Sequence, residues 1–251
     1  MTVPNVERAR TVYRGIRDCW VGGGSGLEAH DRLAVITVAA GVRKFALLTH
    51  MNAEEQANVS ARLNSIGMGA AICSSEFDLS IEAEGISSAT IEAYLAVERE
   101  RSPLTGVGVW AQPDQVTSCV GMDALGTALL YPSCCESMDL RTKYRDHELR
   151  LTAIVEQEGD DAERVEKGIR EHHEYEKASY DHCLEWSDRF YQTLTRFPFV
   201  IHTACDECLR ADDGHSAILN REYEELAVSV SDELHLMLRW GALALVRSQK
   251  R

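Results

Sequence analysis

Along the first hundred residues the apolar positions switch between a helical and a strand period. Val6, Ala9, Tyr13, Ile16 and Trp20 recur every three or four residues, which predicts an amphipathic helix over 5–20. The run Gly22-Gly23-Gly24-Ser25-Gly26 ends it. Residues 27–40 predict a second helix, although Ala34-Val35-Ile36-Thr37-Val38 suits a buried strand equally well. Gly41 breaks that run, and Lys44-Phe45-Ala46-Leu47-Leu48 reads as a short buried strand. Residues 53–66 read as a helix closing on Gly67, a natural position for a left-handed cap. Ala70-Ala71-Ile72-Cys73 follows as a strand, and a helix over 88–101 leads to a third strand at Val107-Gly108-Val109-Trp110. Strand, helix and strand in that order predict a βαβ unit with parallel strands and a right-handed crossover.

Past residue 118 the pattern becomes helical almost throughout. Helices are predicted over 120–130 and 134–158, and the charged stretch 161–195 keeps Val165, Ile169, His172, Leu184, Tyr191 and Leu194 near helical spacing. Ile218, Leu219, Tyr223, Leu226, Val230, Leu234, Met237 and Leu238 predict one long amphipathic helix over 216–247. The expected fold is therefore α/β, with a small βαβ-type half over 1–118 packed on a mostly helical half over 119–251. With no linker-like stretch between the halves, the two form one compact unit.

Composition narrows the partners. A formal charge of −14 and a sequence pI near 5.1 disfavour nucleic acid, which needs a basic surface, and disfavour an anionic membrane for the same reason. The opening residues MTVPNVERAR contain no apolar signal core, and the apolar runs are too short to span a bilayer. The expected location is cytoplasmic and the expected partner a small-molecule substrate; oligomeric state is not legible. In a reducing compartment eight cysteines are not a disulfide framework. Cys19, Cys73, Cys119 and Cys183 stand alone among apolar neighbours and read as small buried hydrophobes.

The other four cysteines form two motifs. The first is Tyr131-Pro132-Ser133-Cys134-Cys135-Glu136, and the second is His202-Thr203-Ala204-Cys205-Asp206-Glu207-Cys208. Ser133 and Glu136 match a capping box, which would put Cys134 and Cys135 in the first turn of a helix and favour their thiolates. In the second motif two sulfurs three residues apart converge on one point, and His202 can add a nitrogen. The candidate metal ligands are thus Cys134, Cys135, His202, Cys205 and Cys208. Thiolates of this kind suit zinc or an iron–sulfur cluster. Adjacent cysteines tend to diverge around one small ion, which favours the cluster.

The two motifs together resemble a family of uncharacterised prokaryotic proteins with a Gly-Tyr-Pro-x-Cys-Cys signature and a later His-x-x-Cys-x-x-Cys. Leu130 stands where that signature has glycine. The resemblance covers the motifs and the layout of 43–210, and implies no activity. A fainter similarity links the cysteine pattern to the cluster domains of heterodisulfide reductases, except that Glu136 replaces their glycine.

A βαβ unit also gathers ligands at the C-terminal ends of its strands. Those ends carry His50 as an acid–base candidate, and Ser74, Glu76, Asp78 and Gln112 as candidate binding residues. Glu171-His172-His173-Glu174 lacks di-iron spacing and reads as a solvated helix face. The functional expectation is a metal- or thiol-dependent enzyme acting on a small metabolite, with Cys134 and Cys135 as working sulfurs in sulfur-transfer or redox chemistry. Two alternatives stand beside it: a binding or regulatory protein with structural zinc, and a metal-free thiol-redox protein.

Overall fold

The computed structural model describes residues 3–17, 26–49, 51–75, 81, 83–101, 104–113, 129, 131–171 and 180–249. The first helix, α1 (Val6–Ile16), is capped by the Asn5 side chain, which accepts from the Arg8 backbone N–H. It buries Ala9, Val12, Tyr13 and Ile16 along one stripe. The second, α2 (Gly26–Ala39), settles the helix-or-strand ambiguity in favour of helix. Its one face, Ala34, Val35, Val38 and Ala39, packs on the sheet, while Leu33, Ile36 and the following Ala40 pack on C-terminal helices. A helix covered on two sides is apolar nearly all round, which is why its sequence also reads as a buried strand.

Three strands follow: β1 (Phe45–Leu48), β2 (Gly69–Ser75) and β3 (Leu104–Trp110), connected by α3 (Ala53–Ser65) and α4 (Ser88–Arg101). The Asn52 side chain and Glu55 form a reciprocal capping box at the start of α3, and Gly67 at φ +81° turns the chain out of it. The strands lie in the order β1-β3-β2, and both pairings are antiparallel. The expected parallel pairing is therefore corrected. β1 and β2 run in the same direction, but β3 lies between them and carries all the interstrand bonds. Register places Ala46, Val109 and Ala70 side by side on one face, with α1, α2 and α3 covering it. Phe45, Trp110 and Cys73 occupy the other face beside Leu129 and Tyr131.

The C-terminal helices are α5 (Ser133–Glu158), α6 (Ala162–Glu171), α7 (Tyr180–Arg196), α8 (Asp206–Arg210), α9 (His215–Val230) and α10 (Asp232–Gln249). Leu151 and Ile154 of α5 with Val165 and Ile169 of α6 bury against Tyr94, Leu95 and Val97 of α4. The single helix expected over 216–247 is two. Ser231 adopts extended backbone and its hydroxyl accepts from the Leu234 N–H, so it caps α10 and folds it back beside α9. Tyr223, Leu226 and Ala227 of α9 and Leu234 and Leu238 of α10 share a core with Ala9 and Tyr13 of α1 and Leu33 and Ile36 of α2. The N-terminal and C-terminal stretches are thus joined through one apolar layer. The helix expected over 120–130 and the Glu171–Glu174 tetrad lie largely outside the described residues. Among the described residues no helix is long and apolar enough to cross a membrane.

Candidate metal centre

The first motif opens α5, but not through the expected capping box. Pro132, at φ −57° and ψ 134°, occupies the cap position, and no side chain caps this end. Its carbonyl accepts from both the Cys135 and Glu136 backbone N–H groups at 2.9 Å. Proline fixes a near-helical φ and so starts the helix one residue early. Ser133 consequently falls inside the first turn and faces solvent. Cys134 and Cys135 still lie in that turn, as the second and third helical residues.

The second motif follows α7. Phe197, Phe199 and Val200 bury, while Thr193 of α7 accepts the Ala204 N–H at 2.9 Å and Tyr131 donates its hydroxyl to the Ile201 carbonyl at 3.1 Å. These bonds fix the path of the chain up to Cys205, whose carbonyl receives the Leu209 N–H at 2.8 Å as α8 begins. Cys208 lies on α8 and is 4% exposed.

The two motifs meet. The Sγ atoms of Cys134, Cys135, Cys205 and Cys208 all lie within 4.8 Å of one another. Cys134 is 3.6 Å from Cys208 and 4.0 Å from Cys135, so the adjacent side chains do not diverge. The Cys205 backbone N–H donates to the Cys135 sulfur at 3.4 Å. Cys135, Cys205 and Cys208 are buried with Phe197, Val200, Ala204 and Ala217, and only Cys134 is partly open to solvent. Four thiolates at 2.3 Å from one tetrahedral ion stand about 3.8 Å apart, an edge that the observed separations bracket within about an ångström.

Burial weighs on the protonation of these sulfurs. It pushes Cys134 up to about 11, helped by hydrogen bonds and like charge from Cys208 and Cys205. Burial pushes Cys135 higher still. Cys208 shifts the other way: burial opposes its ionisation, but the Ser216 hydroxyl, Cys134 and the Ser216 backbone N–H all stabilise the thiolate. The expectation of acidic Cys134 and Cys135 is therefore corrected, because desolvation outweighs the helix end.

His202 stands outside the sulfur group. Its Nε2 lies 2.9 Å from Ser216 Oγ, and that oxygen lies 3.8 Å from Cys135 Sγ. The imidazole packs against the Tyr131 ring, with centroids 5.2 Å apart. Burial, then the nearby Arg43 charge, lowers its pKa to about 4. It is a neutral support behind Ser216, the arrangement by which outer groups orient metal ligands. Ser216 itself was not legible as a site residue. The only signal is a hydroxyl eight residues after Cys208, at the start of a helix.

Of the second expected site only Ser74 and Gln112 are among the described residues, and they lie apart. Ser74 pairs with Thr105 near the start of β3, while Gln112 follows its end, with its carbonyl beside Gly69 at the opposite end of the β2–β3 pair. Antiparallel β3 carries its C-terminal end away from that of β2, so the strand-end rule for parallel sheets does not apply. His50, Glu76 and Asp78 lie outside the described residues. Cys73 sits on the sheet face against Gly108, apart from the sulfur group. No family model, curated protein or solved structure matches this chain, so the geometry of the four sulfurs is what carries a functional reading.

Proposed function

We propose that the chain binds one zinc ion through Cys134, Cys135, Cys205 and Cys208, and that the ion acts as a structural staple between the start of α5 and the first turn of α8. The observation that carries this reading is the mutual approach of four sulfurs within 4.8 Å. An iron–sulfur cluster places an inorganic core between its thiolates and holds them further apart than one tetrahedral edge, so the spacing favours a single ion. Four protein ligands fill a zinc coordination sphere and leave no position for a substrate or an activated water. That closure favours structure over Lewis-acid catalysis. The residues fit the ion chemically as well, since bound zinc replaces the thiol protons that burial otherwise retains.

Elemental analysis and absorption of the purified protein test the proposal. The expected result is about one zinc per chain and no colour, and cobalt substitution should give the intense visible bands of a tetrahedral thiolate site. Iron with acid-labile sulfide and a broad band near 400 nm would overturn it. The sulfur-transfer or redox reading has one observation on its side, the partial exposure of Cys134. It requires alkylation of Cys134 alone to abolish a thiol-dependent turnover while zinc is retained.

A further inference from the structure

The outer side of α10 is apolar where a solvated helix face is polar. Leu234 and Leu238 form its inner stripe, buried in the layer shared with α1, α2 and α9, and Ala242 continues that stripe. On the opposite side Leu236, Trp240 and Leu243 are 51%, 62% and 45% exposed. At about 100° per residue these three positions fall within roughly 60° of one another, so they form a second stripe. Among the described residues six large apolar side chains are exposed, and three of the six lie on this one face. Arg239 at its flank is held by the Glu224 carboxylate at 2.7 Å, which gives the stripe a polar rim. Single exposed leucines are ordinary, but a contiguous apolar patch with a polar rim marks an interaction surface.

The charges along this face are ordered. Asp232 and Glu233, both exposed, stand at its start, and the helical period puts position 247, an arginine, at its other end. From Glu233 to Arg247, about 21 Å of helix, the face thus runs acidic, apolar, basic. A second copy laid antiparallel on it sets each acidic end against the other copy's basic end, with the two Trp240 positions near the centre. A parallel copy sets like charge on like. One face paired with itself about a two-fold axis closes as a dimer and does not grow into a filament. An anionic membrane suits the face less well, because two carboxylates lie on it and the chain carries a formal charge of −14. Trp240 leaves roughly 150 Å² open if a tryptophan offers about 250 Å². With the two leucines each copy contributes on the order of 300 Å² of apolar surface, less than the roughly 800 Å² per partner of a standard interface. A contact of that size makes a reversible dimer.

We propose that α10 packs antiparallel on the α10 of a second copy of this chain, through Leu236, Trp240 and Leu243, to form a reversible dimer in the micromolar range. The proposal goes beyond the metal centre and does not depend on it, since α10 supplies none of the four sulfurs. It also accounts for a helix that is apolar on two opposite sides and yet is not long and apolar enough to cross a membrane.

The test is sedimentation velocity of the full chain as purified, from low micromolar to several hundred micromolar, with metal content measured alongside. The mass should rise with concentration from 28.0 kDa towards twice that value. Trp240→Glu should weaken association by about tenfold or more and leave metal content and the far-UV circular dichroism of the monomer unchanged. Leu243→Glu should do the same, and serves if the tryptophan variant does not fold. Glu233→Arg and Arg247→Glu should each weaken association, and the double reversal should restore most of it. A mass that stays at 28.0 kDa throughout would overturn the proposal, including a monomer that instead floats with phosphatidylserine vesicles. Association that Trp240→Glu and Leu243→Glu leave intact would overturn it too, by placing the contact on another face. Charge reversals without effect, or single losses that the double reversal does not restore, would overturn the antiparallel order.

Discussion

Removing the ion should cost much of the protein's stability, and the size of the effect follows from linkage. A ligand that binds only the folded chain stabilises it by about 4 kcal/mol when its free concentration is 1,000 times its dissociation constant. Folding brings the two motifs to one point, with Cys135, Cys205 and Cys208 1%, 9% and 4% exposed, and any binding of the ion by the unfolded chain lowers this figure. An independent comparison gives the same scale. Cys135 and Cys205 are 70 residues apart in sequence, and a covalent crosslink closing such a loop is worth roughly 4 kcal/mol in the chain-entropy model. For a chain of this length 1 kcal/mol moves the thermal midpoint by about 2–4 °C, so chelation should lower it by roughly 8–16 °C.

The assay is differential scanning calorimetry with and without a strong zinc chelator, on wild type, Cys205→Ser and Cys73→Ala. Wild type and Cys73→Ala should both fall on chelation, because Cys73 packs on the sheet beside Phe45, Trp110 and Leu129. Cys205→Ser should start low and not fall further. A midpoint that chelation leaves within a degree of its starting value would refute the staple, even if zinc co-purifies. Equal falls in wild type and Cys205→Ser would show that the ion stabilises the protein from somewhere else.

Ser216→Ala removes the oxygen that meets both His202 Nε2 and the sulfur pair, and should weaken zinc binding by roughly 10–100-fold in a competition titration with a chromophoric chelator. Ser133→Ala should leave urea stability within about 0.5 kcal/mol of wild type, since no side chain caps α5, whereas Asn52→Ala should cost about 1 kcal/mol through the α3 capping box. His147 bonds the Tyr94 hydroxyl at 2.9 Å, and its pKa falls to about 4, chiefly through burial. Between that value and the unfolded value of about 6.5 the unfolded chain binds the extra proton, so stability should be present above pH 6.5 and fall progressively towards pH 4. His147→Gln should flatten this part of the pH–stability curve measured by urea unfolding, and an unchanged slope would show that other groups set it.

What was legible in the sequence, and what was not, follows from the range of the forces involved. The stripe of α1 and the span of α3 from residue 53 to its Gly67 end are decided within a few residues, and they read correctly. Strand order is decided by which strands meet, and no local pattern separates a parallel neighbour from two strands divided by a third. Ala70, Val109 and Ala46 alternate in the same way under either pairing. The break at Ser231 was visible in principle, because Ser-Asp-Glu is a helix-start signal. It was overridden by an apolar period that continues from Leu226 through Leu234. The supposed capping box failed for the opposite reason: a correct local motif at Ser133 lost to the proline before it.

The cysteine motifs occupy a middle ground. Their residue types announce thiolate chemistry, but adjacent cysteines disfavour one small ion only where neighbouring side chains part. That holds in a strand, where successive side chains alternate faces, and less so in a helix, where successive residues are rotated by about 100°. A rotation of that size leaves two sulfurs on overlapping sectors of the first turn, and rotamer choice brings them to 4.0 Å. The second motif then has to meet that turn. The Thr193 and Tyr131 hydrogen bonds deliver it there by fixing Ile201 and Ala204 on the approach to Cys205. Tyr131 and Pro132 therefore belong to the site as fully as the cysteines they precede. The tyrosine secures the incoming loop, and the proline starts the helix at the residue that places both sulfurs within reach of it.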